Sequence, residues 1–184
     1  MKIEEEIKQK QFKSEYHKAM VNIIFTYNWL IKNQVEVLEP YGITLQQFNI
    51  LRILRGQYPK PSTIKLMKER MLDRMSDCSR IVEKLRAKKL VERHLCVKDR
   101  RNVDVLITKK GLALLKKLDK IFEKSDKNLI ALSDKELKTF NKLLDKLRRK
   151  NLKIKNRDYL NTADRLNNST HKRQLNHKHL YNFF

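Results

Sequence analysis

A chain of 184 residues is long enough for one ordinary domain with appendages, and its core needs no covalent staples. A formal charge of +22 points to a polyanion as partner, nucleic acid first; an anionic membrane surface comes second, since no run offers the ~18 uninterrupted apolar residues of a spanning helix. Two cysteines, Cys78 and Cys96, exclude a disulfide framework, and three Gly with three Pro leave too little turn chemistry for an all-β fold.

The opening segment MKIEEEIKQK has no apolar signal core, so the expected location is cytoplasmic. From about Ile7 to Leu38, apolar residues recur in steps of three and four (Tyr16, Met20, Ile23, Ile24, Tyr27, Leu30, Ile31, Val35, Leu38), which predicts one long amphipathic helix. Pro40 and Gly42 end it. A second helix begins at Thr44, where Thr44-x-x-Gln47 fits a capping box and Ile43 can staple onto Phe48. Gly56 and Pro59-Lys60-Pro61 break that helix, and Ser62 is placed to cap a short third one ending near Met71.

A fourth helix follows, with Asp73 or Ser76 as N-cap and Met75, Cys78, Val82 and Leu85 on its inner face. Its outer face then holds Ser76, Asp77, Arg80 and Lys84. Next, Val91, Leu95 and Val97 share one parity and Val103, Val105 and Ile107 another, the alternation of a half-buried hairpin. Between the two runs stand Lys98, Asp99, Arg100 and Arg101, four charges that belong in solvent or against phosphate. Two short helices joined by a tight turn and followed by a β-ribbon make a winged helix-turn-helix, whose second helix enters the major groove. Thr108 caps a fifth helix with a stripe of Leu112, Leu115, Leu118, Phe122 and Leu129, and Ser133-x-x-Glu136 opens a sixth carrying Leu137, Phe140, Leu144 and Leu147. Residues 151–184 differ in character: seven Asn and seven Lys or Arg against two Asp give +5, which leaves +17 of the chain's charge on residues 1–150. A basic tail without a packed core is expected there, beside a folded domain over 1–150.

The expected fold class is therefore mainly α with a small β-hairpin wing. The chain resembles the MarR family of bacterial winged-helix transcription regulators in Ser79-Arg80-x-Val82-x-x-Leu85, in Leu90-Val91-x-Arg93, and in Asp99-Arg100-Arg101-x-x-x-Val105-x-x-Thr108-x-x-Gly111. The similarity covers about residues 10–150. It implies a homodimer, intertwined through N- and C-terminal dimerisation helices, whose two winged modules read halves of a pseudo-palindromic operator. Lys89 stands where family members usually carry Gly, so the turn into the wing is made either without a positive φ or with Lys strained in it.

Candidate DNA contacts fall in two groups. Ser76, Asp77, Ser79, Arg80 and Lys84 lie on the first turns of the reading helix, where Arg80 suits guanine and Asp77 either accepts from cytosine or favours the helix N-terminus. Lys98, Asp99, Arg100 and Arg101 form the wing tip, where an arginine fits a narrow A·T-rich minor groove while Asp99 can brace the other. Tyr16, Tyr27, Tyr41 and Phe48, with Trp29, line a possible pocket in which the resemblance implies a small aromatic or lipophilic effector; aromatic residues at helical spacing are otherwise core. Cys78 reads as a core residue before a redox sensor, and His94-x-Cys96 lacks further ligands for structural zinc. No cofactor, metal or catalytic residue is expected: the nucleophile elbow, the phosphate-cradling glycine loop and the His-Glu-x-x-His helix are all missing. The expected function is a homodimeric sequence-specific DNA-binding transcription regulator, a repressor in its simplest form; the alternative is a sequence-indifferent nucleic-acid-binding or nucleoid-associated basic protein.

Overall fold

The computed structural model describes residues 2–95, 103–129 and 131–149. Among the described residues, seven α-helices and three strands follow one another as α1 (Ile3–Glu6), α2 (Glu15–Leu38), α3 (Leu45–Gln57), β1 (Ser62–Thr63), α4 (Ile64–Arg70), α5 (Cys78–Ala87), β2 (Val91–Leu95), β3 (Val103–Ile107), α6 (Lys109–Leu129) and α7 (Asp134–Arg148). By compactness the chain divides into two units, Met1–Ile130 and Ala131–Phe184.

In the first unit, α2 starts later than the apolar periodicity suggests. Its N-cap is Ser14, whose hydroxyl accepts from the His17 N–H at 3.2 Å, so the segment from Ile7 to Lys13 is not helical. The Lys18 ammonium ties α2 to α1 through the Glu4 carboxylate at 2.6 Å, and that contact holds the Glu4 carboxyl below the usual carboxylate range. A 3-10 turn over Glu39–Tyr41 closes α2, with Gly42 at φ +61°, a left-handed conformation that glycine adopts without a Cβ penalty. Thr44 and Gln47 then form the expected reciprocal capping box at the start of α3.

The core of the unit lies between α3, α5, the sheet and the first half of α6. Ile50, Leu51, Met67, Val82, Leu85, Val105, Leu115 and Leu118 are almost wholly buried in it. Two contacts fix α6 against α3. Phe48 stacks on Phe122 at 4.9 Å between ring centroids, and the Arg55 guanidinium grips both carboxylate oxygens of Asp119.

The sheet contains one strand more than the hairpin. β1 pairs antiparallel with β3 (Ser62 opposite Val105, Thr63 opposite Asp104), giving the order β1-β3-β2. Ser62 is therefore a buried strand residue, and the cap of α4 is Thr63, which accepts from the Leu66 N–H at 3.2 Å. The expected Ser62 cap is displaced by one residue because pairing with Val105 holds Ser62 extended. Of the residues expected on the buried side of the hairpin, Val91, Val105 and Ile107 face the core, Val103 is half-buried, and Val97 lies outside the described residues.

Within the second unit, α7 opens on the expected capping box, in which Ser133 accepts from the Glu136 N–H and Glu136 accepts from the Ser133 N–H. Its apolar residues Phe140, Leu143 and Leu147 are exposed. The segment 151–184 lies outside the described residues.

Candidate nucleic-acid interface

α5 carries the strongest local reason to be presented to a partner. Cys78, Val82 and Leu85, spaced by four and three, anchor one side in the core, so Ser79, Arg80 and Lys84 stand on the exposed side. The N-cap is Asp77, neither Asp73 nor Ser76: one Asp77 carboxylate oxygen accepts from the Arg80 N–H at 3.1 Å. Asp73 instead organises the preceding turn, accepting from the Met75 N–H at 3.0 Å and from the Ser76 hydroxyl at 2.8 Å. The Leu72 N–H donates to the Asn49 side chain at 3.0 Å and pins that turn to α3. Met75, expected on the inner face, is 93% exposed, because it lies in the turn before α5, where the helical phase of Cys78 and Val82 does not extend.

Of the five residues expected to read DNA from this helix, Ser76 and Asp77 are thus engaged in local hydrogen bonds and Ser79, Arg80 and Lys84 are displayed. Leu72 and Met75, exposed apolar side chains in the turn before α5, extend the displayed surface. No period or motif in the sequence marks them as surface residues.

The wing is held to α5 by a charge cluster. Arg93 on β2 and Arg86 on the last turn of α5 both donate to the Glu83 carboxylate, the Arg86 contact at 2.9 Å. These two guanidinium groups, Arg86 first, hold the Glu83 carboxyl below the usual carboxylate range. Arg93 belongs to the Leu90-Val91-x-Arg93 motif, and here it ties the wing to the helix beside it. The wing-tip residues Lys98, Asp99, Arg100 and Arg101 lie outside the described residues, as does Cys96.

α5 ends in a Schellman turn. The Leu90 N–H donates to the Leu85 carbonyl at 3.1 Å and the Lys89 N–H to the Arg86 carbonyl at 2.8 Å. Lys89 occupies the left-handed position of that turn at φ +60°, so of the two expectations the strained one is realised. From this turn the chain meets the start of α6: the Thr108 hydroxyl donates to the Lys89 carbonyl at 2.9 Å and accepts from the Gly111 N–H at 3.1 Å. A Cβ on Gly111 would lie 2.4 Å from the Leu90 carbonyl oxygen, so only glycine permits this approach.

The aromatic residues read as a possible pocket are not gathered around one cavity. Tyr16 and Tyr27 are 87% and 60% exposed on α2, where Trp29 is also exposed, and Phe48 is buried against Phe122 with the Arg52 guanidinium over its ring. Tyr41 lines a cleft at the end of α5. Cys78 is buried among core residues, and that burial pushes its thiol pKa up, which disfavours the reactive thiolate. Among the described residues no group of three or more His, Cys, Asp or Glu is disposed to hold a metal ion, and no helix is long and apolar enough to cross a membrane.

No family model matches the sequence. Solved structures do match this fold. A MarR transcription factor from Planctomyces limnophilus is 27% identical over 73% of this chain and 98% of its own, with a TM-score of 0.57. A mutant MarR from E. coli complexed with operator DNA is 25% identical over 69% and 91%, with a TM-score of 0.61. BpsR of Bordetella bronchiseptica, whose DNA binding is regulated by 6-hydroxynicotinic acid, is 22% identical over 69% and 90%, also at 0.61.

Proposed function

We propose that this MarR-like winged-helix protein is a DNA-binding transcription regulator that acts as a homodimer on a pseudo-palindromic operator, most simply as a repressor in the cytoplasm. The observation that carries the reading is α5: a helix anchored on one side by Cys78, Val82 and Leu85 that displays Ser79, Arg80 and Lys84, in a fold shared with a protein solved on operator DNA. In the major groove, Arg80 donates to guanine and the Ser79 hydroxyl and Lys84 ammonium reach phosphates or base edges. Ser76 and Asp77 shape the helix entry, and the wing residues Lys98, Asp99, Arg100 and Arg101 follow the backbone, an arginine entering the minor groove. A charge of +17 on residues 1–150 supplies steering and a steep loss of affinity with salt.

The dimer is supported by apolar surface that is exposed among the described residues. Tyr16, Met20, Ile24 and Tyr27 form an exposed stripe on α2, and α7 exposes Phe140, Leu143 and Leu147. Large exposed stripes of this kind mark association surfaces. On this reading residues 1–150 work as one DNA-binding and dimerisation domain, with 151–184 a basic tail beside it. Half-sites are expected about one helical turn apart, ~34 Å. A small aromatic or lipophilic effector acts here through unequal affinity for DNA-competent and incompetent states.

Selection of bound duplexes from a random pool tests the reading, with the Arg80→Ala variant and the Arg100→Ala, Arg101→Ala double variant beside the wild type. A palindromic consensus is expected, with base preference relaxed at one position per half-site in the first variant and flanking A·T preference weakened in the second. Equal retention of all duplexes would establish instead a sequence-indifferent, nucleoid-associated protein.

A further inference from the structure

Where α5 ends, β2 begins and α6 starts, the first unit opens into a cleft of about 720 Å³. Arg86, Lys89, Arg93, Lys109 and Lys110 line it against one carboxylate, Glu92, which lies 3.5 Å from the His94 ring. Val91 is its one apolar side chain among the described residues, and that side chain is buried in the core. The cleft therefore offers charge to a ligand and no floor to a lipophilic body.

The cations are held in place without being neutralised. Glu83 is a single carboxylate shared by the Arg86 and Arg93 guanidinium groups, and each guanidinium gives it one of five N–H groups. The Lys110 Nζ donates at 3.1 Å to the Lys88 carbonyl, an acceptor without charge. Lys89 is the most informative of the five. It sits at φ +60° in the Schellman turn, a position that glycine accepts without penalty and a side chain does not. Lysine there strains the backbone and adds a charge to the cleft, and strain kept at one residue points to work done by its side chain.

We infer that this cleft binds a free oligophosphate, a short chain of linked phosphoryl groups carrying several negative charges. The two arginines meet pairs of phosphate oxygens with their planar forks, and Lys89, Lys109 and Lys110 act as point charges beside them. Cations supplied by α5, β2 and α6 along an open cleft suit an extended anion better than a single compact one. Such a ligand touches the end of α5 and the base of the wing, and its binding does not depend on the proposed reading of DNA.

Titration calorimetry of the full chain with tripolyphosphate, in the absence of DNA, tests the assignment. One saturable site per chain is expected, with sulfate bound at least about tenfold more weakly because it brings fewer charges. Lys89→Gly relieves the left-handed strain, so it should unfold at or above the wild-type temperature while weakening tripolyphosphate about fivefold. Lys124→Gln, the same loss of charge elsewhere on α6, should leave the affinity unchanged. No saturable heat, sulfate binding as tightly, unchanged affinity in Lys89→Gly or an equal loss in Lys124→Gln would each overturn the assignment. A duplex of random sequence separates the two sources of phosphate. Wild type and Lys89→Gly should treat it alike, whereas a fivefold loss there too would give the cleft to backbone phosphates and overturn the free ligand. Because the first titration contains no duplex, failure of this site and failure of the DNA-binding reading are separate results.

Discussion

Leu85 on α5 and Ile24 on α2 are both branched aliphatic residues at helical spacing, yet the first is 0% exposed and the second 41%. The winged lobe, from α3 to the first half of α6, gathers the buried apolar residues of these elements into one core. α2 buries Val21 and Leu38 and leaves Tyr16, Met20, Ile24 and Tyr27 uncovered. On the dimer proposed above, the uncovered side of α2 is what a second copy would cover. An apolar period says that a helix has a face to cover; it does not say whether the cover lies in the same chain.

The largest effect expected on the lobe side comes from Leu85→Ala, which should remove about 2–5 kcal/mol of unfolding free energy in urea, with Met75→Ala changing it by less than about 0.5 kcal/mol. Ile24→Glu probes the other side. It places a charge in the proposed dimer interface and should cost association about 2 kcal/mol or more while the variant keeps its helical circular dichroism, a drop in mass that sedimentation equilibrium reads. A full-length variant that stays dimeric would erase the contrast between α2 and the lobe. Gly111→Ala should cost about 1–3 kcal/mol, because the added methyl collides with the Leu90 carbonyl and with Ile107 Cγ1, the latter 2.7 Å away, and both belong to the lobe's packed seam.

The smallest effect concerns the seam between wing and reading helix. Glu83 has a depressed carboxyl pKa in the folded chain, so its pairing with Arg86 and Arg93 contributes fully above the ordinary carboxylate value and is lost as pH falls through the depressed one. Thermal unfolding of the wild type should therefore soften in acid slightly more than that of Glu83→Gln. Equal acid sensitivity would show that the pairing adds nothing to the lobe.

Local signals were legible where the physics is local. The boxes at Thr44/Gln47 and Ser133/Glu136 and the cap at Thr108 join residues three apart, and each forms as the sequence implies. The helix α5 was legible in type and, through Cys78, Val82 and Leu85, in its buried side, Met75 excepted. Its start was not, because Asp73, Ser76 and Asp77 offer three acceptors within five residues and the choice is made by the tertiary bond from Leu72 to Asn49. β1 has two residues, too few for any period, and exists because β3 passes beside it. Of the candidate DNA contacts, exposure of Ser79, Arg80 and Lys84 followed from the helix phase. Engagement of Ser76 by Asp73 did not.

That brief third strand has a consequence for how the molecule behaves at high local concentration. β3 is flanked on both sides, by β2 along its length and by β1 at Val105 and Asp104, so its hydrogen-bonding groups offer little template to a neighbouring molecule. One outer edge of the sheet is two residues long, and the other is β2, studded with Glu92, Arg93 and His94. Short and charged edges resist strand addition. Copies of the chain at high local concentration can therefore meet without β2 or β1 pairing into a shared sheet.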